Sequence, residues 1–302
     1  MPGQNKYRLI YSFAKLIRIE NLLLIALVLY VSNQYIYNKE QFALPFNLLL
    51  ILIVGTMSIA AGGYVINDYF DLKIDKINKP SEVVLEKSIH RKAAILWHLL
   101  FSLIGLASGV YLAMKVGHWS MAMIQLITII LLLVYSNVLK RIFVLGNLTI
   151  ALLSGILPVL PYIYADALNP ELSILTANAL ISLSAFAFFT TLIRELIKDI
   201  EDMKGDRTGG RKTVPVMWGF LASKIIVFFL LLLLIIFLVP FLVYYAVNHH
   251  VGAVLYHLFL LILPVIISMI MVIFIKEAKQ FKILSLMMKF IMLSGIVFYL
   301  IF

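Results

Sequence analysis

Long apolar runs alternate with short charged segments along almost the whole chain. A membrane-crossing helix needs roughly 20 mostly apolar residues. Nine runs answer that description, at approximately 21–37, 45–66, 93–114, 119–139, 144–164, 173–197, 221–247, 251–275 and 284–302. The pattern predicts an all-α polytopic membrane protein formed by one domain, residues 1–302, with helices 1–4 and 5–9 as its halves. Two connections stand apart from the rest, at 67–92 and 198–220. Both are long and highly charged, whereas the stretches at 166–171 and 248–250 are short and plain.

Composition supports this class. Apolar residues make up 63% of the 302 positions, against roughly 45–50% in soluble domains. There is no cysteine, which excludes disulfides, thiolate ligands and a cysteine nucleophile. Residues 1–18 are basic and lead into a run long enough to span, so the start reads as a first transmembrane helix rather than a signal segment. The net charge of +10 would suggest nucleic acid in a soluble chain. Here it is explained by inner-loop anchoring, acidic lipid head groups or an anionic substrate, and no nucleic-acid partner is expected. With the N-terminus inside, Lys39 and Lys115 are the only two of the 25 basic residues left on the outer side. The expected placement is therefore the inner cell membrane, N-terminus and charged connections cytoplasmic, C-terminus outside.

Most of the aspartates fall in the two charged connections. The first contains Asn67, Asp68, Asp71 and Asp75, the second Asp199, Asp202 and Asp206. Aspartates recur at offsets 0, 3 and 7 in both, after the second and the sixth helix, which suggests a duplication with a pseudo-symmetric site between halves. At about 100° per residue each set forms one stripe within roughly 60° if the helix runs on, and Gly205 is the point where the second stripe would break. Carboxylates at helix C-termini oppose the macrodipole and call for a cation. Hard oxygens in this number imply Mg²⁺ or Ca²⁺, and Mg²⁺ takes a few carboxylates together with phosphate oxygens. Lys140, Arg141, Arg194 and Lys198 lie near the same edge and suit an anion. Arg211, Lys92 and the basic cluster at 276–282 read as positive-inside anchors. Tyr64 and Tyr135 lie near inner helix ends, where a ring face can meet a cation. The six histidines show no paired ligand spacing at the acidic edge.

Taken together, these residues resemble the UbiA superfamily of intramembrane prenyltransferases. The resemblance rests on Asn67-Asp68-x-x-Asp71-x-x-x-Asp75, Asp199-x-x-Asp202-x-x-x-Asp206, Tyr135-Ser136-x-x-Leu139-Lys140-Arg141 with Gly146-Asn147, and Arg18-x-x-Asn21. It implies nine helices around a central cavity and a prenyl diphosphate bound through Mg²⁺. Asn67, Asp68, Asp71, Asp75, Asp199, Asp202 and Asp206 would be the metal ligands. Arg18, Asn21, Lys140, Arg141, Arg194 and Lys198 would hold the diphosphate, with Asp71, Asp75, Asp202, Lys140 and Tyr135 in catalytic roles. The wording of both motifs is similar to the digeranylgeranylglyceryl phosphate synthase branch, which implies a geranylgeranyl donor and the hydroxyl of geranylgeranylglyceryl phosphate as acceptor. An aromatic acceptor such as 4-hydroxybenzoate is the alternative inside the family, and a membrane transporter is the alternative outside it. One segment departs from the family: an Arg-Pro-x-Pro-Ser-Gly-like stretch is replaced by residues 80–88, PSEVVLEKS, which bears on the acceptor and leaves the acidic motifs intact.

Overall fold

The computed structural model describes the backbone of residues 2–169 and 173–302, with side chains from residue 9 onward. Among the described residues twelve α-helices follow one another: α1 Pro2–Leu16, α2 Ile19–Glu40, α3 Phe46–Asn78, α4 Arg91–Val116, α5 Ser120–Asn137, α6 Leu145–Ile156, α7 Leu160–Leu168, α8 Ile174–Thr208, α9 Val214–Val247, α10 Val251–Tyr256, α11 Leu263–Phe274 and α12 Phe281–Ile301. Among the described residues nine helical stretches are long and apolar enough to cross a membrane, in the order the hydropathy pattern predicts.

Several boundaries moved for identifiable reasons. The predicted fifth span is divided into α6 and α7 by a 3₁₀ turn at Leu157–Val159 that contains Pro158. Pro161 then sits in the first turn of α7, where a missing N–H costs nothing. In the eighth span a π-helical segment, His257–Ile262, precedes Pro264 at the start of α11. Pro240, by contrast, stays within α9. The start of that helix at Val214 instead of 221 reflects a short helical segment, residues 214–218, that meets the main helix at a kink at Gly219, whose non-helical φ of 84° and ψ of 172° suit glycine. The basic start folds as α1, an element the apolar-run pattern does not reveal.

The largest differences concern the two charged connections. Helix α3 runs to Asn78 and α8 to Thr208, so most of both connections is helix and coil is confined to 79–90 and 209–213. Gly205 is helical and buried and does not interrupt α8. The acidic stripes therefore lie inside helices. Asp68 and Asp71 sit well before the last turn of α3, and the helix-end dipole argument applies only to Asp75 and Asp206.

Two compact units make up the chain. Unit 1 comprises residues 1–140 and 159–177. In it α3 and α4 approach closely through small residues: a Cβ on Gly55 would stand 1.8 Å from Ser108 Oγ, and one on Gly105 would stand 2.3 Å from Ile59. Such small-residue contacts replace the hydrophobic drive that lipid cannot supply. The loop after α3 closes over the same unit, with Val84, Leu85 and Ile89 packed among Leu16, Val65 and Leu72. Unit 2 comprises residues 141–158 and 178–302, with Ile193, Ile197, Leu231, Val265 and Leu284 in its core.

Candidate functional site

The first acidic stripe is built on α3. Asn67 and Asp71 are four residues apart and hence neighbours on one face. The chain leaves α5 at Val138 (φ −120°, ψ −60°) and turns through a 3₁₀ segment, Leu139–Arg141. That tight turn directs Lys140 inward. Its ammonium lies 2.6 Å from Asp71 Oδ1 and donates to Asn67 Oδ1 at 3.0 Å, with the Phe70 ring centroid 5.9 Å away. The Lys140 side chain is only 5% exposed. Arg18 reaches the same stripe from the α1–α2 junction, where it adopts a left-handed conformation (φ 52°) uncommon for a non-glycine residue. Its carbonyl accepts the N–H of Asn21 at 2.8 Å, and its guanidinium donates to Asp68 Oδ1 at 3.0 Å while lying 4.8 Å from the centre of the Tyr64 ring. Tyr64 thus offers its face to Arg18. Asn21, Asp75 and Tyr135 are half-buried.

The second stripe, on α8, belongs to unit 2. Asn147, near the start of α6, donates to Asp199 Oδ2 at 2.8 Å. Asp206 is 1% exposed and receives Arg211 Nη1 at 3.1 Å, while the Arg211 backbone N–H donates to the Asp206 carbonyl at 3.0 Å. Gly210, at φ 69°, lets the chain double back after α8 for this contact. The sequence reading of Arg211 as a membrane anchor is therefore corrected: it neutralises a buried aspartate. Asp202 is half-buried on the same helix. Arg194 and Lys198 both turn to Glu195, at 3.4 and 3.1 Å. Arg141 has an exposed side chain, and its carbonyl accepts the Lys212 N–H at 3.1 Å.

Sequence reasoning singled out Lys140, Arg18 and the aspartates, and did not consider the pairing of Glu195 and Arg211. The signal for Glu195 was available, because it stands four residues before Asp199 on the same face of α8. The partner of Arg211 was not, since that contact depends on how the chain turns after α8.

The donor set suits a hard divalent cation. Asn67 Oδ1 and Asp71 Oδ1 converge on one positive charge, the Lys140 ammonium. Among the described residues no three histidine or acidic side chains are grouped to hold a metal. The seven predicted ligands form two sets, one in each unit. Away from both, unit 2 contains a small open-sided cavity of about 40 Å³ lined by Phe186, Phe237, Tyr245, His257 and Phe298. Phe186 lies roughly 20 Å from Asp199 along α8 at 1.5 Å per residue.

Known proteins share the family pattern and the fold. The UbiA prenyltransferase family matches residues 22–293. A digeranylgeranylglyceryl phosphate synthase of Sulfurisphaera tokodaii is 35% identical over 220 residues, 72% of this chain and 74% of the relative. A solved structure concerned with digeranylgeranylglyceryl phosphate synthase in membranes shares the fold, with TM-score 0.62 and 21% identity over 97% of this chain and 99% of its own. A UbiA homologue from Archaeoglobus fulgidus, solved with GPP and Mg²⁺, shares it with TM-score 0.57 and 14% identity over 96% of this chain and 100% of its own.

Proposed function

This chain belongs to the UbiA prenyltransferase family, and on that premise we propose that it transfers a geranylgeranyl group from its diphosphate to the free hydroxyl of geranylgeranylglyceryl phosphate. It is an integral membrane prenyltransferase, which sets aside the transporter alternative. The observation that carries the site assignment is the convergence of Asn67 and Asp71 oxygens on a single buried cation in α3's acidic stripe. Donor and acceptor are supported by the similarity to relatives named digeranylgeranylglyceryl phosphate synthase.

Asn67, Asp68, Asp71, Asp75, Asp199, Asp202 and Asp206 would hold Mg²⁺. Bound there, the metal supplies Lewis-acid charge to the diphosphate oxygens. The chain's own residues do the rest. Lys140, Arg194 and Lys198 bring fixed positive charge to the departing diphosphate, joined by Arg18, Asn21 and Arg141. The allylic C–O bond breaks, and Tyr135 offers a ring face to the developing carbocation. The acceptor oxygen then bonds to that carbon, its proton passes to Asp75, and diphosphate leaves. Helices rich in apolar side chains keep water from the cation. The N-terminus and both acidic stripes lie on the cytoplasmic side and the C-terminus outside, a placement supported by the basic-residue asymmetry.

The test is transfer of radiolabel from geranylgeranyl diphosphate in membranes carrying the protein. Parallel reactions receive geranylgeranylglyceryl phosphate or 4-hydroxybenzoate, each with and without EDTA, and each repeated with Asp71→Ala. Label in the glycerol lipid, abolished by EDTA and by the substitution, is the expected result. Label in the aromatic product alone would replace the acceptor, and transfer that persists in EDTA would refute the metal assignment.

A further inference from the structure

Glu195 lies one turn before Asp199 on α8. At 100° per residue, Glu195, Asp199, Asp202 and Asp206 fall within about 60° of one another, so Glu195 extends the second acidic stripe one turn further into the span. Its side chain is 14% exposed and accepts from Lys198 Nζ at 3.1 and 3.4 Å and from Arg194 Nη1 at 3.4 Å. Arg194 Nε is buried and makes no hydrogen bond among the described residues, and the same is true of Thr191 Oγ1 one turn earlier. Buried donors almost always have an acceptor. Two such donors beside a pair of cations point to an oxygen-rich anion.

We propose that Glu195 is a positioning residue that competes with diphosphate for Arg194 and Lys198, and so sets how firmly the diphosphate product is held. The proposal rests on the reading of those two cations as diphosphate holders. A carboxylate and a phosphate oxygen are alternative acceptors for the same charged N–H groups, and charge-assisted bonds in half-buried surroundings are strong. An anion entering the site must take a share of the cations from Glu195. When the diphosphate departs, the carboxylate closes on them again. Without that competitor the product is retained, and its release limits turnover.

Inorganic pyrophosphate serves as the probe, in two measurements on the full-length protein with Mg²⁺ present. One is its inhibition constant against prenyl transfer, the other is direct binding of labelled pyrophosphate to the detergent-solubilised protein. In Glu195→Gln, which keeps shape and removes charge, both constants are expected to fall about tenfold, the scale of one charge at hydrogen-bond range in a partly buried site, and kcat falls with them. In Arg194→Gln both constants rise. A purely structural role for Glu195 would lower the thermal midpoint and leave both constants in place. Should Glu195→Gln fail to fold, Glu195→Asp, too short to reach both cations, carries the same expectation. If Arg194→Gln raises the constants while the Glu195 variant leaves them unchanged or raises them, the proposal is overturned and the diphosphate reading stands. If Arg194→Gln and Lys198→Gln leave them unchanged as well, the diphosphate reading of these cations fails and the proposal with it.

Discussion

Replacing Lys140 with methionine tests whether the first acidic stripe depends on a protein cation. The Lys140 and Asp71 side chains are 5% and 10% exposed and 2.6 Å apart, so water screens the pair little. Methionine keeps most of the lysine stem and its packing but takes the positive charge from beside Asp71 and the donor from Asn67 Oδ1. Breaking one half of a buried ion pair costs about 3–5 kcal/mol. At roughly 2–4 °C per kcal/mol for a large domain, the thermal midpoint should drop by about 10 °C. A divalent cation can return the lost charge to the same two oxygens, so Mg²⁺ at a hundredfold excess over its dissociation constant should restore about 2.7 kcal/mol. The parent protein, with Lys140 already there, should gain less. The assay is thermal unfolding in detergent, with and without Mg²⁺, of the parent, Lys140→Met, Asp71→Asn and the double variant. Losing both charges should be less harmful than the two single losses summed. A midpoint within about 2 °C of the parent, or single effects that add within roughly 0.5 kcal/mol, would refute the reasoning.

Arg211→Met should destabilise unit 2 by about 3 kcal/mol, because it takes the guanidinium from Asp206, which is 1% exposed; the same unfolding assay reads it, and a midpoint equal to the parent's would refute the pairing's contribution. Gly295→Ala should cost about 1–3 kcal/mol, since its Cβ would stand 2.1 Å from the Phe186 ring; a companion Phe186→Leu change should recover part of the loss. Glu86 accepts from Lys76 at 2.6 Å, and that hydrogen bond holds its carboxyl below the ordinary value of 4.5. A lowered folded-state pKa means the contribution is fully present above about pH 4.5 and fades as pH falls through the folded value. Hydrogen-exchange protection at 84–89, taken relative to the intrinsic rate at each pH, should therefore fall on acidification below that point, and Glu86→Gln should remove this dependence; an unchanged acid response in the variant would count against it.

The acidic motifs were legible because their spacing matches the helical period, so a stripe can be counted from residue numbers alone. Lys140 and Arg18 could be picked out as cations near the edge, but which carboxylate each would meet could not. In sequence Lys140 belongs to neither stripe; the 3₁₀ turn after α5 gives it to Asp71. Arg211 looked like any inner-loop basic residue until the turn at Gly210 brought it back onto Asp206. The departing segment at 80–88 showed what it lacks in sequence, whereas its role as an apolar closure, with Val84, Leu85 and Ile89 packed on Leu16, appeared only in the fold.

By itself the sequence determined the class of the protein, the number and order of its spans, the asymmetry of its basic residues and the two acidic stripes on which the proposed site rests. Those properties follow from length, hydrophobicity and periodicity, which are local and additive along the chain. Tertiary structure decided where α3 and α8 end and which carboxylate Lys140, Arg18 and Arg211 each meet. These outcomes depend on turns of a few residues and on side chains as far apart in sequence as Arg18 and Asp68. Burial there makes every charge seek a partner, and the nearest partner in space is not the nearest in sequence.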